Sequence, residues 1–355
     1  MPGKHLTESF RWSGARLDWP HAVAASLAMT IPVAAGKATG HLDWGLAASV
    51  GGLMIGGLGT LASVREQAID IVLAVAAAIA AMLAALDLMA LAPGQFTLVL
   101  VASAAALAGG FSVPAAIAST RFVLFLMIAV GMMDGGGEPW LLASMAVAGA
   151  IWSALVNLAI GALARSRRGP QEASESTKHT FAQLKARWLR TLKTLTGWQY
   201  ALRLGTCLAA AIALKSLWPG HHLNWIAITV VLLTERALEA FPVKITQRAL
   251  GTFVGVIVAE VLETSGLAAA FPALVIAALA LGRPLLRANN YLAYTVVTTP
   301  LILVILETGK SPQASLLVDR LAATLAGAAL VLAANAAMRL AIRASSRRSE
   351  SSLRR

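Results

Sequence analysis

The stretch "DIVLAVAAAIAAMLAAL", residues 70–86, decides the fold class. One charged residue is followed by sixteen residues without charge, most of them Ala, Leu, Val or Ile. An apolar run that approaches roughly 18 residues is typical of a transmembrane helix. The strands of a membrane barrel would instead be about 10 residues long and would alternate apolar with polar positions. This stretch does neither, so it predicts a membrane-spanning α-helix.

Segments of the same kind recur along the chain, which is 58% hydrophobic and 13% charged, with a mean hydropathy of +0.72. A soluble domain is nearer half apolar and a quarter charged. We therefore expect an all-α integral membrane protein with about 12 transmembrane helices. The predicted spans are residues 20–37, 43–61, 67–88, 94–111, 114–133, 139–163, 200–217, 224–239, 247–264, 267–282, 290–307 and 315–342.

The positive charge sets the predicted orientation. If both termini are cytoplasmic, almost all of the 29 lysine and arginine residues fall in inner segments, and only Lys37, Lys215 and Lys310 fall outside. Inner loops are enriched in these residues. The net charge of +12 is thereby explained without nucleic acid as a partner. We expect a multi-pass protein of a bacterial inner (plasma) membrane, with the lipid bilayer around it.

Two similar phrases divide the chain into halves. HLDW at residues 41–44 and HLNW at residues 222–225 are separated by 181 positions, and the same shift places the first predicted span on the seventh. Six spans in each half give two parallel six-helix repeats. The predicted domains are an N-terminal repeat at 1–164, a cytoplasmic basic linker at 165–198, a C-terminal repeat at 199–343 and a disordered basic tail at 344–355.

The linker contains a predicted amphipathic helix. Phe181, Leu184, Trp188 and Leu192 share one face, and basic residues cover most of the remainder. Such a helix is expected on the anionic inner leaflet, although a plain linker helix has the same pattern.

A second echo lies within the C-terminal half. Arg248, Gly251, Thr252 and Gly255 follow the same spacing as Arg320, Ala323, Thr324 and Gly327. One predicted span enters from the inside and the other from the outside, so the pattern favours an inverted repeat. Small residues on one helix face are equally typical of close helix packing.

The segment "NWIAITVVLLTERALEAFPVKITQRALGTFVGVIVAEVL" resembles the fusaric acid resistance (FUSC) and aromatic acid exporter family, to which the plant aluminium-activated malate transporters are related. "NNYLAYTVVTTPLILVIL" and "VDRLAATLAG" resemble it too, and the likeness covers most of residues 200–340. It implies movement of small organic anions. Longer members often work with a periplasmic adaptor; the short linker and tail of this chain argue against one here.

Charged and kinked positions within spans are the candidate site, because buried charge in a membrane is costly and commonly functional. The candidate substrate-binding residues are Arg320, Arg248, Thr252, Thr324, Thr299 and Pro300. The candidate proton-coupling residues are Glu260, Glu235, His222, His41 and Asp70. The basic residues expected at the inner mouth are Arg121, Arg283 and Arg287, and the expected interface anchors are Trp44 and Trp225. Each also has a structural interpretation: helix capping, ion pairing, packing or topology.

We predict an inner-membrane exporter of small organic acids, aromatic carboxylic acids in particular, coupled to protons and giving resistance to toxic acids. A passive organic-anion channel is the first alternative, and a membrane scaffold that transports nothing is the second. The only cysteine, Cys207, cannot form an intrachain disulfide. No nucleotide loop, metal cluster or catalytic triad is evident, so no enzyme, cofactor or metal is expected. Monomer and homodimer both stay open.

Overall fold

The computed structural model describes residues 10–55, 64–90, 94–134, 137–166, 180–218, 224–237, 241–308 and 315–353. Within these ranges the regular structure is helical throughout, without a strand. The N-terminal half contains α1 (Trp19–Ala38), α2 (Leu42–Ile55), α3 (Val64–Ala90), α4 (Gly94–Ala108), α5 (Val113–Asp134) and α6 (Pro139–Ser166). The remainder contains α7 (Phe181–Thr191), α8 (Leu195–Leu217), α9 (Asn224–Leu233), α10 (Phe241–Thr264), α11 (Leu267–Ala270), α12 (Pro272–Asn289), α13 (Tyr291–Glu307) and α14 (Ser315–Leu353).

Five segments in these helices are long and apolar enough to cross a membrane: Arg65–Leu88, Val113–Asp134, Pro139–Ser166, Leu195–Leu217 and Val318–Ala344. Four shorter apolar helices accompany them: Leu42–Ile55, Phe96–Ala108, Asn224–Leu233 and Tyr291–Leu306. The prediction of an all-helical, multi-pass membrane protein is confirmed. The count of about 12 spans and the cytoplasmic termini stay predictions.

Helix pairings recur between the two halves. In the first half, α1 packs on α2 and α6, α2 on α6, α3 on α5 and α6, and α4 on α5. In the second half, α8 packs on α9 and α14, α9 on α14, α10 on α13 and α14, and α12 on α13. Contacts between the halves also match. The contact of α1 with α12 corresponds to that of α4 with α8, and the contact of α2 with α13 corresponds to that of α5 with α9. The pairings are those expected when corresponding helices occupy corresponding places.

Small residues let these helices approach closely. A Cβ added to Gly149 would overlap the backbone of Ala48, and one added to Gly51 would overlap the backbone of Ala146. Large apolar side chains point outwards instead: Val72 and Leu100 are 65% and 69% exposed. Membrane helices associate through such small-residue contacts, because lipid already solvates large apolar side chains.

Two predicted segments have different boundaries. The tail that was expected to be disordered from residue 344 continues α14 as a helix to Leu353. Residues 267–282 were expected to form a single helix, but the chain breaks between α11 and α12, and α12 continues past Arg283 and Arg287 to Asn289. Gly266 adopts a positive φ of 70° and Pro272 begins α12. Glycine tolerates that conformation, and proline suits the first turn of a helix. Arginines interrupt an apolar run without ending a helix, so the hydrophobic pattern predicts an end for this span that comes too early.

The amphipathic helix α7 packs on the protein. Trp188 Nε1 donates a hydrogen bond to the Leu107 carbonyl at 3.2 Å. The Phe111 ring lies 5.3 Å from that of Phe181 and 6.1 Å from that of Trp188. The apolar face therefore contacts the end of α4, and its cations remain exposed.

Candidate functional site

Arg320 and Trp225 form the first part of the site. Arg320 begins the second turn of α14 and is 3% exposed, and its guanidinium carbon lies 3.0 Å from the centre of the Trp225 ring. The tryptophan itself is 6% exposed. A guanidinium on an aromatic face is stabilised by the ring's quadrupole. The expectation that Trp225 anchors the protein at the lipid interface is therefore wrong, because the ring is buried beneath an arginine.

Arg248 forms the second part of the site, on α10. It is 4% exposed, and its Nε atom has no hydrogen-bond partner within the described residues. Its guanidinium lies near Tyr294 of α13. A buried donor without a partner is costly, so this atom is available to an anion.

Three of the predicted threonines line these helices, all at least 96% buried. The hydroxyls of Thr252 and Thr299 have no partner within the described residues, whereas Thr324 donates to the Arg320 carbonyl at 2.9 Å. Thr252 lies one turn from Arg248, on the same face of α10.

Pro300 is accommodated inside α13 without ending it. Proline at this position frees the carbonyl of Val296, four residues earlier. Neither neighbouring threonine satisfies it: Thr298 donates to the Tyr294 carbonyl at 2.7 Å, and the Thr299 hydroxyl has no partner in the described structure. Gly255 of α10 packs against this carbonyl instead, with an ideal Cβ only 3.0 Å from it. The weakened turn of α13 therefore faces α10.

The two arginine motifs make corresponding contacts. At Gly255, an ideal Cβ would lie 2.7 Å from Thr299 Cβ and 3.0 Å from the Val296 carbonyl, three residues before that threonine. At Gly327, it would lie 2.9 Å from Thr229 Cβ and 3.2 Å from the Ile226 carbonyl, again three residues earlier. The motif helices α10 and α14 also pack on each other. The glycines are thus packing residues, and they hold each motif against a threonine-bearing helix.

The predicted proton carriers are scattered. Glu260 is exposed on α10. Glu235 is half-buried and forms an ion pair with Lys244 rather than with its neighbour Arg236. His41 is exposed and stacks on half-buried Trp44 at 4.0 Å. His222 lies outside the described residues.

Asp70 and Arg121 belong together. Two Arg121 nitrogens lie 2.7 and 3.2 Å from the two carboxylate oxygens of Asp70, joining α3 to α5. The neighbouring Gln67 accepts from Arg165 at 2.5 Å and donates to the Asn157 carbonyl at 3.2 Å. By the shift of 181 positions, Gln67 and Asp70 stand where the second half has Arg248 and Gly251. At these positions the polar side chains of the first half bind other residues of that half, whereas Arg248 in the second half has a donor atom without a partner among the described residues.

We expect the Asp70–Arg121 pair to contribute to stability alone. Asp70→Asn should lower the free energy of unfolding by about 1 kcal/mol, since the pair is only partly buried. The exchanged double variant Asp70→Arg/Arg121→Asp should recover most of that loss. Thermal unfolding followed by tryptophan fluorescence measures both. Asp70 would have to be reassigned to proton coupling if the exchanged variant were stable but lost its pH response in transport.

The remaining inner-mouth arginines meet at a tyrosine. The guanidinium carbons of Arg283 and Arg287 lie 6.0 and 5.9 Å from the Tyr294 ring centre. Arg283 also donates to the Leu53 carbonyl at 3.2 Å, linking α12 to α2. These two arginines therefore form one cluster, while Arg121 is separate from it.

Sequence reasoning assigned no role to three buried or half-buried charged groups. Arg203 lies near the start of the predicted span 200–217; it is 1% exposed and binds Asn335 Oδ1 at 2.5 Å and the Glu235 carbonyl at 2.8 Å. Arg236 stacks on Tyr200 at 4.3 Å and donates to Ser119 at 2.9 Å. Asp319 is 5% exposed. A charge within an apolar run was the available signal for Arg203 and Asp319.

Comparison with known proteins agrees with the resemblance seen in the sequence. No curated protein and no solved structure matches the chain. Residues 204–334, which include both arginine motifs, match the family model described as "Fusaric acid resistance protein-like". Proteins of this family are membrane transporters. The predicted resemblance to this family is therefore confirmed for this part of the chain.

Proposed function

We propose that the chain exports small organic acids, aromatic carboxylates in particular, across the bacterial inner membrane in exchange for protons. The observation that carries the proposal is the pair of buried arginines on neighbouring helices. Arg320 rests on Trp225, and Arg248 lies near Tyr294. A guanidinium binds a carboxylate through two parallel hydrogen bonds, and the adjacent aromatic face suits a planar apolar ring.

In this proposal, two parallel six-helix repeats enclose a central path for the acid. Helix ends that the topology puts on one side do meet: Lys215 contacts Asp134 at 2.6 Å, and Arg236 contacts Ser119 at 2.9 Å. Within the second half, the matched contacts of Gly255 and Gly327 support the inverted repeat. Arg248 would then serve the path from the inside and Arg320 from the outside.

We assign the proton to Asp319, with Glu235 as the second candidate. Asp319 is 5% exposed and adjacent in sequence to Arg320. Burying a carboxylate in a span costs free energy, and carboxylates at such positions commonly have a function. In proton exchange the two cargoes move in opposite directions, so Asp319 would hold its proton in the step in which the anion site is empty. The exposed Glu260 and the paired Asp70 are less suited to this step.

Growth in the presence of weak acids tests the function. A strain that overproduces the protein should tolerate a higher concentration of at least one aromatic acid from a panel, and a deletion strain should tolerate less. Arg248→Gln should remove the gain, because a lost charge-assisted hydrogen bond costs about 1.5–3 kcal/mol, or roughly 10- to 100-fold in affinity. Unchanged tolerance towards every aromatic and aliphatic acid would instead favour a scaffold.

A further inference from the structure

A cluster of cations and tyrosines lies at the end of the second half that the proposed topology places inside. Arg283 and Arg287 are one turn apart on α12 and both face the Tyr294 ring. Tyr294 stacks on Tyr291 at 5.7 Å, and Lys244 Nζ lies 5.4 Å from the Tyr291 ring. We call these five residues the inner cation–tyrosine cluster.

The cluster carries more positive than negative charge. The helices α12 and α13 contain no acid before Glu307, and α10 contains none before Glu260. Glu235 pairs with Lys244 of the cluster. Arg248 adds a further charge near Tyr294. Like charges held this close repel one another unless an anion compensates them.

The N-terminal segment fixes the surroundings of the cluster. Ser13 binds the carbonyls of Asn289 and Ala288, through N–H at 3.0 Å and Oγ at 2.8 Å. Asn290 Nδ2 donates to the Arg11 carbonyl at 3.1 Å. Beside these contacts, the Trp12 and Trp19 side chains are 54% and 53% exposed. Exposed tryptophans next to arginines are typical of the membrane–water interface.

We infer that the inner cation–tyrosine cluster binds the phosphate group of an anionic phospholipid from the inner leaflet. Guanidinium groups recognise phosphate through paired donors, and basic pockets between helices on the cytoplasmic side are typical sites for anionic headgroups. Arg283 and Arg287 bind the phosphate from one face of α12, and Lys244 contributes a third cation from α10. Tyr291 and Tyr294 line the site with amphipathic rings at the depth of the lipid headgroups. The three cations of this site are distinct from the substrate arginines, although Arg248 also lies near Tyr294, and the test below does not involve the transported acid.

Titration with a soluble lipid tests the site without any transport assay. The full chain is placed in neutral phosphatidylcholine nanodiscs and titrated with dihexanoyl phosphatidylglycerol, while thermal unfolding is followed by tryptophan fluorescence. A ligand that binds the folded state raises the unfolding temperature in proportion to its occupancy. We expect a rise with this lipid and none with dihexanoyl phosphatidylcholine. Arg287→Gln should need about tenfold more lipid for the same rise.

Arg287 is suited to this test because its side chain is exposed, so its loss leaves the fold intact. Arg65→Gln, which removes an exposed cation from α3, should titrate like the unaltered protein. Equal responses of Arg287→Gln and the unaltered protein would overturn the site. A rise reproduced in full by inorganic phosphate alone would overturn the lipid assignment and leave a site for soluble phosphate.

Discussion

Arg320→Gln is expected to reduce organic-acid flux by about 100-fold, because removing one partner of a buried, hydrogen-bonded charge costs 2–5 kcal/mol. The guanidinium is 3% exposed and rests on Trp225, so glutamine keeps a polar group of similar length but removes the charge. Flux of a radiolabelled acid into inverted membrane vesicles measures the effect.

Two matched variants separate lost binding from lost structure. Arg339→Gln removes an exposed charge from the same helix, α14, and should leave flux unchanged. Arg320→Lys keeps the charge without the planar fork and should retain an intermediate flux, since lysine cannot reproduce bidentate binding. Normal flux through properly inserted Arg320→Gln would remove this residue from the site.

Gly149→Ala is expected to lower stability by about 3 kcal/mol or more, because overpacking a tight contact against backbone leaves little room for relaxation. A Cβ at this position would overlap the Ala48 carbonyl, where α6 crosses α2. The new methyl group can be accommodated only if the helices separate. Thermal unfolding in detergent, followed by tryptophan fluorescence, should show a much lower midpoint.

Gly131→Ala provides the control for this substitution. Gly131 lies inside α5, and a Cβ there would meet nothing within 4 Å. Alanine favours helix over glycine by about 1 kcal/mol, so this variant should be as stable as the original protein or slightly more so. If both variants unfolded at the same temperature, the α2–α6 crossing would not be as close as described.

The fold class was predictable from the sequence because it depends on hydrophobic runs, and runs such as residues 70–86 need no knowledge of tertiary contacts. The repeat inferred from HLDW and HLNW stays a prediction, and the pairing of corresponding helices in the two halves is what such a repeat leads us to expect. The end of α12 was not predictable in this way. Arg283 and Arg287 interrupt the apolar run, but they lie on one helix face and reach Tyr294 without ending the helix.

The site was predictable only in part. Arg248 and Arg320 stood out because charge within a span is rare, and both are buried. The role of Trp225 could not be inferred from its position at a helix start. A tryptophan that anchors a helix at the lipid interface and a buried tryptophan that stacks on an arginine have the same local sequence. Asp70 shows the same limit: its partner Arg121 is 51 positions away, and sequence spacing does not reveal tertiary ion pairs.

Purified protein in liposomes gives the most direct test of proton-coupled export. An imposed pH gradient, with the membrane potential clamped to zero, should drive benzoate or a related aromatic acid against its own gradient. Asp319→Asn should abolish that accumulation while leaving downhill exchange of labelled for unlabelled acid. Flux that never exceeds the acid's own gradient, follows an imposed voltage and ignores the pH gradient would contradict the exporter and identify a passive anion channel.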